Sequence, residues 1–120
     1  MGLALAQSYL QEGAEVAVCG RDLSKLSDHA AYDALIKSEV DVCDRDALSA
    51  AVHSFGHHGT LDLFINCTGS YADDVAQRIS YEAASSMLQV NMLGTLNCFE
   101  VAREVMRGQS TGQIATIASV

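Results

Sequence analysis

Four short apolar runs, each separated from the next by a segment of helical periodicity, constrain this chain more than any other feature. They are "EVAVCG" at 15–20, "ALIKSEVDV" at 34–42, "LDLFIN" at 61–66 and "QIATIAS" at 113–119. Each has the length of a strand and is too short for a buried helix. Ahead of the first run, Leu3, Ala6 and Leu10 recur at helical spacing, and Gly13 stands where a helix-ending glycine belongs. Asp22 is placed to cap a helix bearing Leu23, Leu26 and Ala30. Asp44 is placed to cap another, with Leu48, Ala51, Val52 and Phe55 on one stripe and Gly56 as its stop. A long helix is predicted over about 81–107. Strands that alternate with helices pack as a parallel sheet covered on both faces. The predicted fold is therefore α/β and doubly wound, with strands over Glu15–Cys19, Leu35–Val40, Leu61–Asn66 and Gln113–Ala118. "LDLFIN" reads as a strand buried on both faces. Ile114, Ala115, Ile117 and Ala118 read as another buried strand. Lys37 and Glu39 mark the second strand as an edge with one wet face.

Composition removes several classes. With 120 residues the chain is one domain at most. Its 15 acidic and 7 basic side chains argue against a nucleic-acid surface, which needs clustered Lys and Arg. No apolar run approaches the ~20 residues of a membrane span. The first residues lack the basic start and apolar core of a secretion signal, so a cytoplasmic address is expected. Cys19, Cys43, Cys67 and Cys98 show no C-x-x-C pairing and read as free thiols. Zinc needs about four converging ligands. Cys19 and Cys67 are expected on opposite sides of the central strand position, so a metal is the minor reading and none is assigned. His57 and His58 read as a solvated loop pair.

Parallel sheets of this kind receive ligands at the carboxyl ends of their strands. Gly20 and Arg21 follow the first strand. In an open dinucleotide fold an acid at that place binds both ribose hydroxyls of NAD. A small residue followed by arginine leaves room for a 2′-phosphate and pairs with it. Taken alone, a surface arginine after a turn glycine explains the pair as well. Asp41 can accept from an adenine amino group, with Val42 packing on the ring; an ordinary strand-to-helix turn is the equal alternative. "NCTG" at 66–69 places Asn66 to tie neighbouring strand ends and Gly69 to let backbone approach a ligand closely. A plain Asx turn is its alternative.

Asn91 lies inside the long helix, where asparagine competes for backbone hydrogen bonds, and Gly94 weakens the same turn. The readings are a local distortion that frees a backbone carbonyl, or an asparagine satisfied by packing. Met87, Val90, Cys98, Val101 and Val105 lie on one flank of that helix. Leu88, Met92, Leu96, Phe99 and Met106 lie on another. A helix apolar this far round is buried on two sides. One side can meet the sheet; the other implies a homo-oligomer or cover by more of the same chain.

Taken together and in order, these motifs resemble the short-chain dehydrogenase/reductase family across nearly all of the chain. "GLALAQSYLQEGAEVAVCGRD" is similar to the helix and second strand that follow the family's Thr-Gly-x-x-x-Gly-x-Gly phosphate loop, with Gly2 as its last glycine. Asp41-Val42 resembles the adenine-pocket pair. "NCTG" resembles Asn-Asn-Ala-Gly, keeping Asn66 and Gly69 and departing at Cys67 and Thr68. "VNMLGTL" resembles the segment with the family's asparagine, here Asn91, and "GQIATIAS" the strand that delivers its serine, here Ser119. The resemblance implies a Rossmann-like NAD(P)-binding domain over 1–120, with NADP(H) favoured over NAD(H). It implies hydride transfer to or from a small carbonyl or alcohol substrate. Ser119 would bind the substrate oxygen, and the Asn91 backbone would hold a water of the proton relay.

The departures carry their own expectations. The family's Tyr-x-x-x-Lys would follow the serine, beyond Val120. The first strand and most of the glycine loop would precede Met1. None of Tyr9, Tyr32, Tyr71 and Tyr81 has a lysine four residues on. The chain is therefore expected to be a fragment, inactive alone, whose sheet lacks one strand between those ending at Cys19 and Asn66. The alternative is a non-catalytic dinucleotide-binding or assembly protein, either a truncated isoform or a pseudoenzyme.

Overall fold

The computed structural model describes residues 1–29, 31–56, 59–71 and 80–118. Helix α1 spans Gly2–Gln11. It ends as the sequence predicts: Gly13 takes the left-handed conformation at φ 86°, its N–H donates to Leu10 O, and that of Ala14 to Tyr9 O. These two bonds satisfy carbonyls that the helix end would leave open, and only glycine adopts that φ without strain.

Strand β1 is Ala17–Gly20 and β2 is Ile36–Glu39, parallel, with Gly20 opposite Glu39. The segment between them departs from expectation. In place of a helix capped by Asp22 there are two single 3-10 turns, Ser24–Leu26 and Tyr32–Ala34. The reason is local. Ser27 Oγ donates to Ser24 O at 2.7 Å, so a hydroxyl takes the carbonyl that a growing helix would need. Ala30, the third residue of that expected stripe, lies outside the described residues, as do His57, His58 and residues 72–79.

Helix α2, Arg45–Gly56, is capped by Asp44, whose Oδ1 accepts from Ala47 N at 3.0 Å. Strand β3, Leu63–Asn66, pairs in parallel with β4, Gln113–Thr116. The long helix has three parts: α3 over Tyr81–Leu88, a π turn over Gln89–Gly94, and α4 over Thr95–Met106. Ser80 caps α3 by accepting from Ala83 N at 3.2 Å.

The core forms where α4 lies on α2 and reaches β3 and β4. Val40, Leu48, Val52, Leu61, Cys98 and Val101 are its buried members, and Leu48 and Val101 are almost wholly enclosed. Burying a side chain of this size stabilises by about 1.5–3 kcal/mol. Helices α2 and α4 approach closely at Gly56, where an added Cβ would stand 2.9 Å from Val105 Cγ1.

The sheet is two parallel pairs, β1 with β2 and β3 with β4, and no ladder joins β1 to β3 among the described residues. This is an incomplete Rossmann-like α/β arrangement. It also corrects two expectations of burial. Strand β4 is exposed along its length, with Ile114 39% and Ile117 40% accessible. Leu63, Phe64 and Ile65 of β3 are half-buried rather than enclosed on both faces. Each strand has a hydrogen-bonded neighbour on one edge only, and within the described residues α4 alone among the helices packs closely on the β3–β4 pair. Apolar strands in such a setting cannot reach the burial their sequence calls for.

Candidate functional site

The residues at the strand exits come first. Gly20 closes β1 tightly, since a Cβ there would sit 3.1 Å from Leu23 Cδ2. Arg21 is exposed just beyond it. The neighbouring acid, Asp22, is engaged in its own turn: Oδ1 accepts from Ser24 N at 2.9 Å and from Ser24 Oγ at 2.5 Å. The Ser24 hydroxyl, followed by its N–H, holds the Asp22 carboxyl below the ordinary range. Among the described residues, no hydrogen bond or ion pair engages the Arg21 side chain, whereas Asp22 is committed to its turn.

At the end of β2, Asp41 Oδ1 accepts from Cys43 N at 2.9 Å. The Cys43 thiol is pushed up by desolvation and then by Asp41, while the Arg21 charge draws it down. Arg21, Asp41 and Cys43 therefore share one electrostatic neighbourhood. The side chain of Val42 faces the long helix, where it meets Gly94.

Asn66 ends β3 and is buried at 2% exposure. It uses both ends of its amide. Nδ2 donates to Thr95 Oγ1 at 3.0 Å and to Thr116 Oγ1 at 3.3 Å, and Oδ1 accepts from Thr68 N at 3.0 Å. The strand tie and the Asx turn weighed in the sequence both exist at once. The β4 ladder continues one step further, with Ile117 N donating to Asn66 O at 2.9 Å. Past Asn66, no atom of the described residues lies within 4 Å of where a Cβ on Gly69 would stand. Gly2, at the start of α1, sits 3.5 Å from Cys67 Cβ by the same measure. The first and third sequence motifs thus lie side by side.

Asn91 lies in the π turn, so the helix is distorted where the sequence placed its two weakest residues. Its side chain is also fully used: Ser70 N donates to Oδ1 at 2.7 Å, and Nδ2 donates to Ser70 O at 2.8 Å. This reciprocal pair pins the loop after β3 to the helix. Thr95, Thr116 and Ser70 were not singled out from sequence. The register of Asn66 against Thr116 and the adjacency of Ser70 to Gly69 are the signals that point to them.

Ser119 lies outside the described residues. Tyr32 does meet a lysine, with Lys37 Nζ 3.9 Å from its ring centre. That pair stands at the entrance of β2, the opposite end from Asp41. Among the described residues no three His, Cys, Asp or Glu side chains converge as a metal site. No described helix is long and apolar enough to cross a membrane.

Gly69, Arg21 and Asp41 thus stand at the exits of parallel strands, the place where folds of this kind receive ligands. Comparison with known proteins defines the class. The profile of the short chain dehydrogenase family matches residues 1–120, and the chain belongs to that family. It is 28% identical over 130 residues to an uncharacterised oxidoreductase of Staphylococcus epidermidis, covering all of this chain and 54% of that one. It is 30% identical over 132 residues to the 3-oxoacyl-[acyl-carrier-protein] reductase FabG of Chlamydia muridarum, covering 51% of it. The chain thus spans about half the length of the curated relatives it matches. Among solved structures, ElxO with NADP bound superposes with a TM-score of 0.84 at 23% identity, over 98% of this chain and 50% of that one. An actinorhodin polyketide ketoreductase with NADPH gives 0.84 at 21%, over 98% and 48%. These likenesses establish the fold.

Proposed function

We propose that this chain is the cofactor-side half of an NADP(H)-preferring oxidoreductase acting on a small carbonyl/alcohol pair. The observation that carries the reading is the Asn91–Ser70 brace inside the π turn. It fixes a distorted helix beside the open strand exit of β3 in a chain of a dehydrogenase family. The nicotinamide, when bound, supplies or takes up the hydride. The residues of this chain orient and bind. Gly2, Cys67 and Gly69 would line the approach of backbone to phosphate, and Asp41 with the Val42 backbone would receive the adenine. Arg21 would pair with a 2′-phosphate, next to Gly20 at the exit of β1. Ser119 hydrogen-bonds the substrate oxygen as charge develops there, and the Asn91 carbonyl holds a water that relays the proton. NADP preference is supported by the exposed Arg21, which has no partner among the described residues, while Asp22 is held in its turn. It is also supported by the NADP and NADPH named with two of the similar structures.

The test is hydride transfer with NADPH and a carbonyl panel, followed at the nicotinamide absorbance, in the full-length protein and in the 120-residue chain. Turnover by the first and none by the second is expected. Turnover by the 120-residue chain alone overturns the assignment of proton transfer to residues outside it. A full-length protein that binds NADPH and turns over nothing establishes the non-catalytic reading instead.

The same proposal gives the protein a second copy as partner. Leu88, Met92 and Leu96 are 62%, 59% and 49% exposed along one helix face, which borders an open groove of about 600 Å³. A two-fold axis across that face covers apolar surface with apolar surface.

A further inference from the structure

The two strand pairs share no ladder among the described residues, so the spacing between the loop after β2 and the loop after β3 rests on whatever spans them. The π turn does. On one side Asn91 holds Ser70 by two hydrogen bonds. On the other, three contacts hold residues 41–43. Asn97 Nδ2 donates to Val42 O at 2.9 Å. The Cys43 thiol donates to Gln89 O at 3.6 Å. Gly94 lies so close to Val42 that an added Cβ would stand 2.5 Å from Val42 Cγ2 and 3.3 Å from its Cβ. No real Cβ tolerates the shorter of these, so an alanine at 94 must displace Val42 or the turn itself. A wide helical turn, a missing side chain and one amide donor together fix the β2 loop at a set distance from the β3 loop.

We propose that Gly94 of the π turn and Asn97 of the first turn of α4 are positioning residues for the dinucleotide, holding the Asp41–Cys43 backbone where adenine is received and thereby setting cofactor affinity. The proposal rests on the dinucleotide reading above. Neither residue touches the reacting atoms. Their effect falls on the binding of the adenine end, with the chemical step unchanged once the cofactor is bound.

The experiment is a double-mutant cycle in the full-length protein. It reads NADPH dissociation constants by nicotinamide fluorescence, kcat at saturating NADPH, and melting temperature. Gly94→Ala is expected to weaken NADPH binding roughly tenfold while kcat stays within about twofold, the coupling typical of residues in contact. In a Val42→Ala background, where the opposing methyls are gone, Gly94→Ala should cost little further. Asn97→Ala, which loses one hydrogen bond to backbone, should weaken binding by about three- to tenfold. Binding unchanged in Gly94→Ala and Asn97→Ala overturns the proposal and leaves the dinucleotide reading standing. So does a Gly94→Ala loss of affinity and melting temperature that persists undiminished in the Val42→Ala background, since that is general damage to the helix. An unsubstituted full-length protein that binds neither NADPH nor NADH removes the dinucleotide reading itself.

Discussion

At the scale of the residue, the polar side chains that matter are those with more than one partner. Asn66 joins β3, β4, α4 and its own turn from a nearly dry position. Asn66→Ala strands the Thr68 N–H and two threonine hydroxyls, and a stability loss of about 1–3 kcal/mol is expected in chemical denaturation of the full-length protein. A loss within error would mean water replaces the amide. Arg21 belongs to the same scale. Arg21→Asp reverses the charge offered to a 2′-phosphate and supplies an acceptor for a ribose hydroxyl. The ratio of kcat/KM for NADPH over NADH should fall by at least about tenfold, and an unchanged ratio removes Arg21 from that site. Cys98 is a third case. Burial raises its thiol from 9.0 to about 11. The folded chain then keeps a proton that the unfolded chain has lost between those values. Stability from this group is complete below pH 9.0 and declines as pH rises toward 11. Cys98→Ala should flatten that part of a stability–pH profile, and an equally steep profile would assign the decline to other groups.

At the scale of the element, sequence pattern and context divide the work. The end of α1 was legible because the Gly13 signal is local: a left-handed residue closes two hydrogen bonds within its own turn. The α2 cap at Asp44 was legible for the same reason. The helix expected after Asp22 failed for a local reason too, since its serines and aspartates bond to nearby backbone and to one another. The π turn could be anticipated at Asn91 and Gly94 as a weak point, but not its form. Its geometry follows from Ser70 on one side and Val42 on the other, some 20 and 50 residues away in sequence. The α2–α4 contact yields a plain prediction. Leu48 is 1% exposed, and Leu48→Ala should destabilise by about 2–5 kcal/mol in denaturant unfolding. A cost under 1 kcal/mol would show that α2 does not pack there.

At the scale of the whole molecule, the two-pair sheet controls behaviour. Strands β1 and β3 each carry one edge without a ladder partner among the described residues, and β4 and the residue after it present Ile114 and Ile117 to solvent. Each unpaired buried backbone group costs about 1–3 kcal/mol, against a domain stability of about 5–15 kcal/mol. The isolated 120-residue chain is therefore expected to lack a sharp two-state transition in denaturant. A steep transition with coincident fluorescence and circular dichroism midpoints would contradict this. The helix face of Leu88, Met92 and Leu96 supplies the companion prediction. Met92→Lys with Leu96→Lys should shift the full-length protein to a smaller species in sedimentation, and a monomeric unsubstituted protein would refute the second-copy proposal.

The sequence by itself determined the order of the strands, the α/β class, the helix ends at Gly13 and Asp44, and which residues stand at the exits of β1, β2 and β3. All of these depend on periodicity and on hydrogen bonds closed within a few residues. The tertiary structure alone decided that Asn66 meets Thr95 and Thr116, that Asn91 grips Ser70, and that Gly94 makes room for Val42. It also decided that β4, apolar in sequence, lies exposed. Burial and long-range pairing depend on what packs alongside, and a residue's neighbours along the chain do not carry that information.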